Sequence, residues 1–196
     1  MGTVSIIRNY IIRQEEGFTL FEVLLVIAII GTLSTIAFLS FNQSDSVLEL
    51  QRVRFSIEQG LENAKSNAFN GLLHHGDHVG SFGVHIEKGQ DSIVIFADCN
   101  DDREYNGIQT VCNRNTETEW VDTIAFEGDF SITQVVPCST SGCVLSIIFQ
   151  APFATTGFYV DGSAESDLSA EMTISNGGTL TETITVNRAG RSTKKV

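Results

Sequence analysis

The chain reads as an α+β protein: a long N-terminal helix, one half apolar and one half amphipathic, packed on a C-terminal antiparallel β domain. Three observations predict this. Residues 18 to about 70 contain no proline and pass from an apolar run into a stripe with helical spacing. After residue 78 the apolar period changes to two. Clusters of Gly, Ser, Asp and Asn then punctuate the chain at strand-length intervals.

The first element is apolar. Phe18 to Phe41 contains a single charge, Glu22, over more than the ~20 residues that a bilayer-spanning helix needs. A cleavable secretory signal is shorter and ends in a small-residue cleavage site, for which "LSTIAFLSFNQ" is a poor fit. Arg8 and Arg13 precede the run, so residues 1–17 are expected in the cytoplasm and everything after about residue 42 outside it. A carboxylate near the middle of a membrane helix costs roughly 2.5–3.5 kcal/mol, so Glu22 calls for a use.

The second element, over 42–71, is an amphipathic helix. Val47, Leu50, Val53, Ile57, Leu61, Ala64 and Ala68 step by three or four, with Glu49, Arg52, Glu58, Glu62 and Lys65 between them, and Gly71 is the expected stop. "NQSDS" at 42–46 reads either as a joint, with Ser46 capping a restarted helix, or as part of one continuous helix.

Residues 72–196 carry the strands. Phe82, Val84 and Ile86 alternate with Gly83, His85 and Glu87, and "SIVIFAD" follows across "KGQD" as a predicted hairpin. "DTIAFEG", "FSITQVV", "VLSIIFQ", "GFYVDG", "EMTIS" and "TETITVN" complete seven or eight expected strands. Cys99, Cys112, Cys138 and Cys143 all follow the apolar run and so share one compartment. Disulfides Cys99–Cys112 and Cys138–Cys143 close the smallest loops. Reduced thiols, or a four-cysteine zinc site without its usual paired spacing, are the alternatives.

The 196 residues suit one domain plus appendages, and a formal charge of −12 argues against general nucleic-acid binding. Four of the 12 basic residues, Arg188, Arg191, Lys194 and Lys195, lie in the last ten positions, so an acidic body ends in a short basic tail.

"GFTLFEVLLVIAIIG" resembles the N-terminus of type IV pilins and type II secretion pseudopilins: a glycine, a phenylalanine, a glutamate at the fifth position after the glycine, then an apolar helix. The resemblance implies a leader, residues 1–17, cut by a prepilin peptidase between Gly17 and Phe18, with Phe18 then N-methylated. It also implies a transmembrane and assembly helix over 18–41, and an extracytoplasmic domain of pilin-like fold on a single-pass inner-membrane anchor. "GLENAKSNAFNG", "VGSFGVHIEKGQDSIVIFADCNDDREYNG", "SIIFQAPFATTGF" and "ITVNRAGR" are similar, in order and spacing, to the GspH/FimT group of minor pseudopilins. Leu39 stands where many pilins place a helix-bending proline, and the leader is long. The implied partners are the prepilin peptidase and N-methyltransferase, other pilin or pseudopilin subunits, and the inner-membrane assembly platform.

Each constellation carries its own chemistry. A buried carboxylate is tolerable beside a cation, and the resemblance implies that the new α-amine of Phe18 on a neighbouring subunit is that cation for Glu22 during assembly. The alternative is a Glu22 near the headgroups with no partner. Asp98, Asn100 and Asp102 alternate as in the opening of a calcium loop. Arg103 then stands at the sharp-turn glycine position and Gln109 at that of the bidentate glutamate, so a solvated acidic turn is the competing reading. "HHGDH" gathers His74, His75, Asp77 and His78, which are either exposed and unliganded or ligands for zinc, copper or nickel. Calcium aside, no cofactor is expected, and no residue set has the arrangement of a catalytic site. Gly190 and Arg191 match part of a Gly-Arg-x-Arg stretch with which some FimT-type pilins are thought to bind DNA, whereas Thr193 replaces its second arginine. The tail is thus a DNA-backbone grip or a solvated or subunit-contacting end.

Overall fold

The computed structural model describes residues 17–74, 76–107, 118–138, 140, 142–177 and 180–195; the side chains of 37–44, 77 and 195 are outside the description. Helix α1 runs Leu20–Phe69. It begins on a cap: the Glu22 amide donates to Thr19 Oγ1 at 3.2 Å, satisfying a donor that the first turn leaves without a helical partner. It ends at the expected glycine. Gly71 takes φ +57, and the amides of Gly71 and Leu72 donate back to the carbonyls of Ala68 and Asn67, the left-handed stop that glycine adopts most readily. The chain divides into two compact units between Gln43 and Ser44, within "NQSDS", while the backbone there is helical.

In the first unit every described side chain from Phe18 to Ile36 is exposed. Among the described residues no helix is long and apolar enough to cross a membrane. The described side chains of the apolar half stop at Ile36, so residues 37–41 of the expected span lie outside them.

The second unit follows α1 with β1 (Leu73–His74), β2 (Asp77–His78), β3 (Ser81–Glu87), β4 (Ser92–Asp98), β5 (Trp120–Ala125), β6 (Ser131–Val136), β7 (Val144–Gln150), β8 (Thr155–Val160), β9 (Ser163–Ala164), β10 (Ser169–Ser175), β11 (Thr181–Asn187) and β12 (Ser192–Lys195). β1 and β2 form a minimal hairpin; the longer sheets have the orders β5-β4-β3-β7-β8-β9 and β12-β11-β10-β6. All described strand pairs are antiparallel. Leu50, Val53, Ile57, Leu61, Ala64 and Ala68 of α1 join one core with Val84, Ile95 and Ile147 of the six-stranded sheet and Ile132, Ile174 and Ile184 of the four-stranded sheet. The predicted stripe therefore faces two sheets. The two sheets meet where the β3–β4 turn touches β6, through Gly89 N to Ile132 O and Ile132 N to Gln90 O, each 2.8 Å.

Several sequence expectations need correction. Val47 belongs to the predicted stripe but is 40% exposed, so the buried face starts at Leu50. The alternation that marks β3 as a strand does not leave its second face open: Gly83 is buried and His85 half-buried. The cause is the segment after β4, which folds back and lays Tyr105 against His85 and Phe96, with ring centroids 5.4 and 5.7 Å apart. The basic tail, read as a DNA-backbone grip or as a solvated or subunit-contacting end, instead places its residues 192–195 in edge strand β12, registered on β11 from Val186↔Ser192 to Thr183↔Lys195. Such a short strand has little apolar pattern to announce it, because its pairing is made by backbone groups.

Candidate functional site

Two regions gather the residues singled out by sequence. The first is the start of α1. Phe18 and Leu20 are each 80% exposed, Phe21 74% and Ile27 61%. Apolar side chains turned outward all round a helix need lipid or other helices to cover them. The hydroxyls of Thr32 and Thr35 donate to the carbonyls of Ile29 and Gly31, both at 2.9 Å, so these polar groups are satisfied within the helix, as an apolar surrounding requires. Glu22 is the acid of the first turn, where a negative charge also complements the positive end of the helix dipole. Its side chain is exposed.

The second region is the base of the β4–β5 connection. Asp98 ends β4 and is buried; it accepts Ser81 Oγ at 3.0 Å and the amides of Asp102 and Arg103 at 3.1 and 3.3 Å. Arg103 adopts φ +68, the left-handed conformation of the glycine that the calcium-loop pattern calls for there. Asn100, expected as a ligand, is turned to the loop: its Nδ2 donates to Asp102 Oδ2 at 2.7 Å and its Oδ1 accepts the Asp102 amide. The third carboxylate comes from Glu119, just before β5, which is fully buried. The Ala97 amide donates to its carbonyl at 2.8 Å, bringing it beside Asp98. Asp98, Asp102 and Glu119 each offer an oxygen within 4.8 Å of the others. Burial pushes the Glu119 carboxyl up to about 7, aided by the charge on Asp102 and opposed by the Asn106 amide. Burial likewise raises Asp98, with the Ser81 hydroxyl opposing it. Glu119 has no spacing signal in the sequence, because strand pairing places it there.

The remaining expectations are distributed. His74 Nε2 lies 2.8 Å from Thr118 O; His75 and the Asp77 side chain are outside the described residues, and His78 is exposed. Cys138 and Cys143 form a disulfide with Cα atoms 5.7 Å apart, which rules out the four-cysteine zinc site and leaves neither of the two reduced. Cys99 is also disulfide-bonded; Cys112, its expected partner, lies outside the described residues.

In the tail, Lys194 Nζ lies 3.4 Å from the buried Glu182 carboxylate, which Arg54 of α1 approaches at 3.2 Å. Arg188 donates to the carbonyls of Asp167 and Ser166 at 3.2 and 3.0 Å. Gly190 and Arg191 form the β11–β12 turn, where Asn187 Oδ1 accepts the amides of Ala189 and Arg191. Gly190 has φ +64, and an added Cβ would meet Thr156 and Phe149 at 2.9 and 3.0 Å. The partial match to a DNA-binding stretch thus has a structural use in this fold. The Lys195 side chain is outside the described residues.

Comparison with known proteins bears on the first region. The family described as "Prokaryotic N-terminal methylation motif" matches residues 12–38. This places the chain in the type IV pilin and pseudopilin class. The motif marks a structural, pilin-type subunit, which is not an enzyme, and implies processing by a prepilin peptidase and assembly with other pilin subunits. No curated protein and no solved structure matches the chain.

Proposed function

We propose that this chain is a minor pseudopilin of the GspH/FimT type, a structural subunit of a type II secretion pseudopilus or type IV pilus. Residues 1–17 are its leader, cut after Gly17; Phe18 becomes the N-methylated terminus; 18–41 anchor the chain in the inner membrane and line the fibre; 42–71 and 72–196 build the extracytoplasmic domain. Glu22 neutralises the α-amine of Phe18 on a neighbouring subunit during assembly. The observation that carries this reading is the first half of α1: apolar side chains exposed on all sides, internally satisfied hydroxyls, and a lone carboxylate in the first turn. A helix of that kind is completed by lipid before assembly and by other helices after it.

A DNA-uptake role through Arg188, Arg191, Lys194 and Lys195 is the weaker reading, since Lys194 and Arg188 already serve contacts within the domain. Mass spectrometry of the mature protein tests the proposal: a methylated chain starting at Phe18 is expected, and any other start overturns it.

A further inference from the structure

We propose that the β4–β5 connection carries a divalent-cation site of the calcium class, in which Asp98, Asp102 and Glu119 give carboxylate oxygens to one ion. Their oxygens lie within 4.8 Å of one another. Calcium holds its ligands at about 2.3–2.6 Å, so two of them stand up to ~5 Å apart, and this trio is already within that reach; magnesium, at about 2.0–2.1 Å, demands a tighter set. The donors are all oxygen, which favours hard cations over zinc or copper.

Acidic clusters are ordinary on an acidic protein, and Glu119 sets this one apart. It is fully buried; the backbone of Asn106, at 3.1 Å from Oε2, and that of Cys99 donate to its carboxylate, yet Oε1 is closed to solvent without a hydrogen-bond partner. Among the described residues no ion pair reaches any of the three carboxylates; Arg103, the nearby cation, pairs with Asp101 at 3.0 Å. A buried carboxylate is stable when a cation shares its surroundings, and a divalent ion would meet the bare oxygen and offset the repulsion among the three acids. It would also fasten the end of β4 to the start of β5, steadying the segment that carries Tyr105 over the sheet.

The test uses the full-length protein in detergent, stripped with chelator, titrated calorimetrically with calcium chloride or magnesium chloride, and heated with calcium or with chelator. Binding of one calcium per chain is expected, with magnesium weaker and the unfolding temperature higher in calcium. Glu119→Gln and Asp102→Asn should each weaken calcium binding at least ~tenfold, whereas Asp122→Asn, at an exposed acid of β5, should leave it unchanged. Asp102 is exposed, so its variant keeps the test open if the Glu119 variant fails to fold. No heat and no thermal shift at millimolar calcium would overturn the proposal. So would unchanged affinity in the Asp102 variant, or binding in which magnesium matches calcium.

Discussion

At the residue scale, Glu22 has two separable contributions. Its backbone amide completes the Thr19 cap, and its carboxylate complements the first turn. A cap is worth typically ~1 kcal/mol, a small fraction of what holds an apolar helix in a membrane. Glu22→Ala and Glu22→Gln should therefore leave membrane insertion intact and lower incorporation into the fibre, while Thr19→Val affects incorporation little; fractionation followed by shearing of the fibres reads both. Equal incorporation of all three variants would remove the assembly role. His85 supplies a pH dependence. Burial lowers its imidazole below the ordinary 6.5, Glu87 acting in the opposite direction, its Nδ1 is buried without a partner, and the Tyr105 ring covers it. Because the unfolded chain takes up this proton first, the associated stability is intact above about pH 6.5 and is lost as pH falls through the depressed folded value. Thermal unfolding of the His85→Gln protein should fall less between about pH 7.5 and about pH 5 than that of the parent; equal falls would show that the ring titrates freely in the folded chain.

At the element scale, legibility follows how many faces an element buries. The second half of α1 presents one face to the core, and its periodicity names six of its core residues, with Val47 the overreach. β3 also alternates, but Tyr105 and the start of the β4–β5 connection cover its second face, which its own residues do not announce. Gly83 is the consequence: an added Cβ would stand 2.6 Å from the Phe96 ring and from Ile148 Cδ1. Gly83→Ala should destabilise the domain by ~1–3 kcal/mol through overpacking, measured by denaturant unfolding. The disulfide between the ends of β6 and β7 was foreseeable from spacing, and with a sequence separation of 5 it closes a short loop. Replacing both Cys138 and Cys143 by serine should cost about 2 kcal/mol in the same assay, since short loops limit the entropy removed from the unfolded chain.

At the scale of the whole molecule, the tail changes the design of the DNA test. β12 closes an edge of the four-stranded sheet, and Lys194 helps neutralise the buried Glu182. Deleting residues 188–196 should therefore lower the unfolding temperature, confounding any loss of DNA binding with loss of structure. Arg191→Gln with Lys195→Gln leaves those contacts in place; a salt-dependent mobility shift that disappears in this pair without a change in unfolding temperature would restore the DNA reading. The sequence by itself determined the N-terminal class, the α+β order, most strands and the amphipathic stripe, and it put Cys138–Cys143 among the pairings that the structure then chose between. Each of these depends on local pattern or on a motif a few residues long. Tertiary structure alone decided that the helix faces two sheets, that the basic tail is a strand, and that Glu119 joins Asp98 and Asp102. These contacts join residues far apart in the chain, and strand register, which brings them together, leaves no spacing to read in advance.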